Sequence, residues 1–267
     1  MKNLNFCVDK SKCVKCGLCV KDCLCGAVSF GEDGYPKADE SRCFGCQHCF
    51  AICPKGAISV FGNSPDEAFN KTALPTSDEL ENLIKMRRSC RHFKDENVEQ
   101  EKLDKLKEVL NWVPTGCNDR GLHFAIVENK DSMQIIREDL MTELQDLAKN
   151  DKLTGMLANF KDTILSGEDV VFRNAPHMIV VSVDKNAHCK NIDPTIALSY
   201  FEIFAQSLGI STLWCGFATW TIPLCKKVYD KLNLPENYEI AYVMMFGKSD
   251  VKYARSITPE PFPTTII

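Results

Sequence analysis

The sequence lacks the features that would direct it to nucleic acid, out of the cell or into a membrane. Its 267 residues carry a formal net charge of −4, and the absence of any long run of lysine or arginine argues against a nucleic-acid partner. The N-terminal stretch MKNLNFCVDKSKC has no apolar core of the kind that a signal peptide needs. The longest apolar stretches, such as residues 240–246, are far too short to span a bilayer. We therefore expect a cytoplasmic protein that binds neither nucleic acid nor membrane.

Cysteine, by contrast, is abundant, with 15 residues in the chain. Eight of them form two tight runs with the spacing C-x2-C-x2-C-x3-C. The runs consist of Cys13, Cys16, Cys19 and Cys23, and of Cys43, Cys46, Cys49 and Cys53. Because a reducing cytosol disfavours disulfides, these runs indicate metal binding. The scattered cysteines, interpreted as small buried hydrophobes, are Cys7, Cys25, Cys90, Cys117, Cys189, Cys215 and Cys225.

The spacing within each run favours an iron–sulfur cluster over zinc. Three cysteines at successive x2 intervals fit one face of a cubane, whereas structural zinc usually takes separated C-x2-C pairs. Residues 7–60 resemble a bacterial ferredoxin with two 4Fe–4S clusters, in which the fourth cysteine of each run ligates the other cluster. The resemblance implies that one cluster is held by Cys13, Cys16, Cys19 and Cys53, and the second by Cys43, Cys46, Cys49 and Cys23.

The two runs differ in the residues that follow them. Pro54 follows Cys53, as the ferredoxin pattern expects, whereas Leu24 and then Cys25 follow Cys23. Cys25 could compete with the predicted ligands for iron, but we do not expect it to be one of them.

The composition also predicts the domain organisation. We expect a ferredoxin domain at residues 1–62, an exposed linker at 63–77 and a second domain at 78–267. The linker is rich in Gly, Asn, Ser and Pro and has no strong apolar period, although Phe69 and Leu74 are expected to pin it partly.

Apolar periodicity predicts alternating helices and strands in the second domain. Helices are expected from Ser77, which would cap the first of them, and at 98–113, 131–149, 153–165, 193–209 and near 222–232. Strands are expected at 122–127, 177–183, 211–217 and 238–247.

The helix at 193–209 has a clear frame, with Asp193 as N-cap, Pro194 at the first position and Gly209 just past its end. Because it is apolar nearly all round, we expect it to be buried in a core or in a dimer interface.

A short basic segment, RRSCRHF at 87–93, suggests an anion site. Arg87, Arg88 and Arg91 offer planar forks of donors suited to phosphate oxygens, and Ser89 can donate one more hydrogen bond. The alternative is a solvated basic helix end.

Three further motifs follow in order, at 113–124, 208–217 and 246–255. With the basic segment, VPTGCNDRGLHF, LGISTLWCGF and FGKSDVKYAR resemble the FMN-dependent nitroreductase family. The resemblance implies an α+β domain with a mainly antiparallel sheet flanked by helices. It also implies a homodimer with two FMN sites at the subunit interface.

The resemblance assigns FMN contacts residue by residue. Those expected to hold the phosphate and ribityl chain are Arg87, Arg88, Ser89, Arg91 and Arg255. Asn118 is expected to hydrogen-bond the flavin ring, and Cys215 and Gly216 to line it with backbone N–H groups near N5. Those expected to contact the ring from the partner subunit are Pro114, Thr115 and Gly116. Arg120 and Gly121 depart from the family's usual Gln and Pro.

Together these motifs predict an oxidoreductase in which two 4Fe–4S clusters pass electrons to FMN and on to a small organic acceptor, such as a nitro compound or quinone. The electron source would be an external ferredoxin, an iron–sulfur enzyme or NAD(P)H. One alternative is an electron carrier between proteins without its own small-molecule substrate, and another is flavin remodelling or dehalogenation. No catalytic acid or base is expected, because His92, His123 and His177 are interpreted as satisfied structural histidines.

Overall fold

The computed structural model describes residues 3–68 and 74–267, which form two compact units. The first unit extends to Leu74 and includes Cys117–Asp119, and the second contains Pro75–Gly116 and Arg120–Ile267. The division therefore differs from the expected one at Cys117–Asp119, which the sequence places in the second domain. Leu74 is exposed and does not pin the linker, and Phe69 lies outside the described residues.

The first unit is built from two similar halves that pair with each other. The first half contains strand β1 (Cys7–Val8), helix α1 (Leu18–Lys21) and strand β2 (Val28–Phe30). The second half contains strand β3 (Pro36–Ala38), helix α2 (His48–Ala51) and strand β4 (Ile58–Ser59). Strand β1 pairs antiparallel with β4, and β2 pairs antiparallel with β3. Every strand pair therefore joins one half to the other.

The halves also repeat the same turn after the fourth cysteine of each run. The Gly26 N–H donates to the Cys23 carbonyl at 3.0 Å, and the Gly56 N–H donates to the Cys53 carbonyl at 3.1 Å. The absence of proline after Cys23 therefore leaves this turn intact.

The second unit contains a four-stranded antiparallel sheet, which confirms the predicted fold class. Its strands are β5 (Leu122–Val127), β6 (His177–Asp184), β7 (Ser211–Trp214) and β8 (Tyr238–Gly247). They lie in the order β5-β6-β8-β7, and every neighbouring pair is antiparallel. The long apolar strands β6 and β8 occupy the centre, where both faces of a sheet are covered.

Helices cover both faces of this sheet. The helices described in this unit are α3 (Ser77–Met86), α4 (Gln100–Val109), α5 (Lys130–Lys149), α6 (Lys161–Leu165), α7 (Asp193–Ser207), α8 (Gly216–Thr221) and α9 (Lys226–Lys231). Because side chains alternate along a strand, Met178 and Val180 of β6 enter one core cluster, with residues of α5. Ile179 and Val181 enter the other, with residues of α4 and α7.

Two helix predictions and one strand prediction were wrong in detail. The cap of α3 is Thr76 rather than Ser77, because its hydroxyl accepts the Glu79 N–H while the Glu79 carboxylate accepts the Thr76 N–H. Asp193 lies inside α7, and its carboxylate accepts the Gly116 N–H instead of capping the helix. The strand expected at 211–217 ends at Trp214, where α8 soon begins.

Two predicted helices are interrupted by 3₁₀ turns. The region 153–165 contains a 3₁₀ segment at Gly155–Phe160 before α6. The region near 222–232 contains a 3₁₀ segment at Ile222–Leu224 before α9. Throughout the described ranges, no helix combines the length and the apolar character needed to cross a bilayer.

The core of the second unit predicts a stability difference between two positions on α5. Leu144 is fully buried, whereas Ile135 is 53% exposed. Leu144→Ala should lower the free energy of unfolding by about 2–5 kcal/mol, and Ile135→Ala should change it by less than about 0.5 kcal/mol. Urea unfolding followed by tryptophan fluorescence measures this, since all three tryptophans lie in the second unit. Equal losses for the two variants would contradict the described core.

Candidate functional site

Each predicted cysteine quartet lines a cavity of its own in the first unit. The first cavity is lined by Cys13, Cys16, Cys19 and Cys53. The second cavity is lined by Cys43, Cys46, Cys49 and Cys23, with Cys25 beside them. Among the described side chains, no three His, Cys, Asp or Glu groups converge as a single ion would require. Each quartet surrounds a volume that is shared between the two halves.

Burial and backbone N–H donors act in opposite directions on the ionisation of these thiols. Burial raises the pKa of the Cys49 thiol to about 11, so this thiol carries its proton at neutral pH and a metal must displace it. The Gly45 N–H donates to Cys43 Sγ at 3.3 Å, and the Ala57 N–H donates to Cys53 Sγ at 3.2 Å. Such N–H donors favour the thiolate form that binds metal.

Cys25 is a fifth thiol at the second cavity, although the sequence analysis does not favour it as a ligand. Its Sγ lies 3.7 Å from the Sγ of Cys23. Burial has the largest single effect on the pKa of the Cys25 thiol and raises it. The neighbouring Ala27 N–H, Cys23 thiol and Phe44 N–H together lower the pKa by more, so the net shift is downward. The available signal was its position two residues beyond Cys23, where the repeat has Lys55.

The basic segment at 87–91 is fixed along the edge of the sheet of the second unit. Ser89 forms a parallel bridge with Thr212 of the edge strand β7, and the Cys90 N–H donates to the Thr212 carbonyl at 2.8 Å. The Arg88 side chain donates to the Lys85 carbonyl. Its Nε is buried and has no hydrogen-bond partner among the described residues, and Arg91 is exposed. The segment therefore retains donors for an anion.

Arg87 has a protein partner that the sequence did not suggest. Its Nη1 lies 3.1 Å from Oε1 of Glu202, which is only 7% exposed. Glu202 also accepts hydrogen bonds from Thr212 Oγ1 at 2.9 Å and from Trp214 Nε1 at 3.0 Å. This carboxylate, on the polar stripe of α7, ties the basic segment to β7. Arg87 is therefore a positioning residue as well as a predicted phosphate ligand.

Cys215 forms hydrogen bonds within the fold through both its backbone N–H and its thiol. Its backbone N–H donates to the Val243 carbonyl at 2.9 Å, and its thiol donates to the Val171 carbonyl at 3.1 Å. Burial raises the pKa of the thiol to about 11, so it is neutral at physiological pH. Of the predicted Cys215–Gly216 pair of backbone donors, the Cys215 N–H is already engaged, which leaves that of Gly216.

The loop at 113–121 contains several predicted site residues, which differ in their hydrogen-bond partners and exposure. The Gly116 N–H donates to both carboxylate oxygens of Asp193 at 3.1 Å, and the Arg120 N–H donates to Thr115 Oγ1 at 3.1 Å. Pro114 is exposed.

Asn118, which is predicted to hydrogen-bond the flavin ring, already has a partner within the protein. It groups with the first unit, and its side-chain amide donates to the Phe44 carbonyl at 3.1 Å. That hydrogen bond takes up one N–H of the amide that the resemblance assigns to the ring. The left-handed φ of 52° at both Cys117 and Asn118 produces this turn of the chain.

Arg255 lies in a C-terminal segment, 254–267, that is exposed and has no regular secondary structure. Its side chain makes no hydrogen bond within the described ranges, so the structure does not connect it to the other predicted phosphate ligands.

The buried histidine is satisfied, as expected. Nε2 of His177 accepts the Val98 N–H at 2.9 Å, and Nδ1 lies 3.2 Å from the Val127 carbonyl. Burial lowers its pKa, so it stays neutral and structural.

Comparison with known proteins places both units among described families. A model of the nitroreductase family matches residues 84–248, and a model of the 4Fe–4S dicluster domain matches residues 12–57. Iodotyrosine deiodinase of Thermotoga neapolitana is 24% identical over 181 residues, which cover 66% of this chain and 94% of that protein.

Solved structures share the fold of the second unit. A nitroreductase with bound FMN from Desulfitobacterium hafniense DCB-2 has a TM-score of 0.59 at 23% identity, covering 72% of this chain and 100% of that one. A nitroreductase with bound FMN from Bacteroides fragilis NCTC 9343 has a TM-score of 0.60 at 21% identity, covering 71% of this chain and 98% of that one.

The Arg87–Glu202 pair predicts an energetic coupling. Removing either partner alone leaves a largely buried charge or donor unpaired, at a cost of about 1–3 kcal/mol. A double-mutant cycle of Arg87→Ala and Glu202→Gln, measured by urea unfolding without added flavin, should give an interaction of at least about 0.5 kcal/mol. A matched cycle of Arg91→Ala with Glu202→Gln should give none. Equal coupling in both cycles would contradict the described pair.

Proposed function

Since the chain belongs to the nitroreductase family and residues 12–57 match the 4Fe–4S dicluster domain, we propose an iron–sulfur flavoprotein oxidoreductase. Two 4Fe–4S clusters would supply electrons by way of FMN to a small organic acceptor such as a nitro compound or a quinone. The observation that carries this proposal is that two cysteine quartets line two separate cavities in the same chain as the nitroreductase-type sheet.

The donor sets of the two cavities fit two clusters. One cluster would be held by Cys13, Cys16, Cys19 and Cys53, and the other by Cys43, Cys46, Cys49 and Cys23. Because each set draws on both halves of the first unit, cluster binding would also tie the halves together, which a core of this size needs.

The basic segment fits the phosphate of FMN. The buried, unpartnered Nε of Arg88 has a hydrogen bond to give, and a phosphate oxygen would satisfy it. Arg91 and Ser89 would add a charge and a hydroxyl, while Glu202 holds Arg87 in place beside them. Gly216 would offer its N–H to the flavin ring. When bound, FMN supplies the redox chemistry that links one-electron donors to organic acceptors.

The chain itself would contribute binding and orientation rather than acid–base chemistry. The polar atoms of His177 and Cys215 are engaged within the fold, so neither side chain is offered to a substrate. An external ferredoxin, an iron–sulfur enzyme or NAD(P)H would be the electron source, and the cytoplasm the compartment.

We include a homodimer in the proposal because of helix α7. Tyr200 on this helix is 47% exposed in the single chain, and Ile196, Ile203 and Phe204 are only half-buried. A second copy would cover these apolar groups, and the predicted contacts of Pro114 and Thr115 with a partner's flavin require such a copy.

Two other functions stay open to test. A carrier would exchange electrons only with proteins. Reductive dehalogenation is favoured by one observation, the match over 66% of this chain to a protein named iodotyrosine deiodinase.

The basic segment predicts a selective loss of flavin. Arg88→Ala combined with Arg91→Ala should remove most bound FMN, because the phosphate loses two cationic donors, and should leave iron and sulfide per chain unchanged. Lys85→Ala is the matched control, since Lys85 is exposed and its ammonium pairs with Glu81 alone among the described side chains. Flavin released by heat and quantified by chromatography, beside iron analysis, measures both. Joint loss of flavin and iron would contradict the separation of the two sites.

Reoxidation of the chemically reduced protein by different acceptors distinguishes the three proposed functions. After anaerobic titration with dithionite, flavin absorbance should recover within seconds of adding a nitroaromatic or quinone if the protein is a reductase. Recovery with 3-iodotyrosine alone would favour the dehalogenase. Recovery only with an oxidised ferredoxin would contradict the reductase and leave the carrier.

A further inference from the structure

The second cluster cavity contains one thiol more than the first. Five cysteines line it, because Cys25 lies beside Cys23, Cys43, Cys46 and Cys49. At the corresponding position of the first cavity the repeat has Lys55. The Sγ atoms of Cys23 and Cys25 are 3.7 Å apart, so an iron bound to one sulfur lies within reach of the other.

A backbone donor distinguishes the two cavities as well. In the second half of the unit, the Ala57 N–H donates to Sγ of Cys53, the fourth cysteine of its run. The repeat counterpart, the Ala27 N–H, makes no such bond to Cys23 among the described residues, although the turn after the run is the same in both halves. The Cys23 thiol instead contacts the Cys25 thiol at 3.7 Å.

The backbone of Cys25 is held in place. Its carbonyl accepts a hydrogen bond from Arg42 Nη2 at 2.8 Å, and Gly26 follows it in the left-handed conformation. The side chain of Leu24, between the two thiols, is 95% exposed and adds no packing constraint. A change of ligand between Cys23 and Cys25 would thus require side-chain rotation and little else.

We propose that Cys25 is a reserve ligand of the second cluster, able to replace Cys23 on the same iron. In the exchange the Fe–S bond to Cys23 breaks and the Fe–S bond to Cys25 forms. Cys25 gives up its proton as Cys23 takes one from solvent, and no oxidation state changes. The inference rests on the proposed binding of two clusters, and it adds a metal-ligand role for Cys25 that the ferredoxin pattern lacks.

The test compares the two halves in the full-length protein, purified without oxygen. Iron and acid-labile sulfide are measured for the wild type and for Cys23→Ala, Cys25→Ala, the double variant and Cys53→Ala. Wild type, Cys23→Ala and Cys25→Ala should each hold about eight irons per chain. Cys53→Ala, which has no reserve thiol, and the double variant should each fall to about four.

A second readout follows the thiol itself. Iodoacetamide followed by peptide mass spectrometry should label Cys25 in the native wild type and should leave it protected in Cys23→Ala. Loss of about four irons from Cys23→Ala, with Cys25 labelled, would overturn the inference. If Cys23→Ala and Cys53→Ala do not fold, the serine variants at both positions replace them. A wild type without iron would overturn the proposed function itself.

Discussion

The sharing of each cysteine cavity between the two halves of the first unit is the constraint on which the rest depends. Neither half supplies a complete quartet, since Cys53 joins the first run and Cys23 joins the second. Strand pairing is crosswise in the same way. Cluster formation and folding of this unit would therefore be linked, because thiolates that are brought together only in the folded state bind metal only there.

In the second unit, the basic segment at 87–91 is held against the edge of an apolar sheet by a buried carboxylate. The carboxylate of Glu202 is buried, and its hydrogen bonds with Arg87, Thr212 and Trp214 compensate that burial. The basic segment is thereby fixed to the edge strand, with Arg88 and Arg91 left for an anion. A rigid anchor of this kind favours binding because little freedom is lost when the ligand arrives.

The sequence predicted what periodicity and spacing control. The bounds of β5 and β8 agree with the expectation because their apolar runs are framed by turns. The repeated spacing identifies the eight cysteines, whereas their division into two quartets rests on the ferredoxin resemblance. The ion pair of Glu202 with Arg87 and the hydrogen bond of the Cys215 N–H could not be predicted from the sequence, because the partners are distant in sequence. The same holds for Asn118, whose amide bonds to Phe44, and for Asp193, which binds the Gly116 N–H rather than capping its own helix.

We propose that two cubane clusters and one flavin nucleotide occupy a single polypeptide. Analysis of anaerobically purified protein for iron, acid-labile sulfide, zinc and FMN tests this most directly. We expect about eight irons, eight sulfides and one FMN per chain, with negligible zinc. Zinc at both quartets, or a chain that lacks FMN and takes up none when it is supplied, would contradict it.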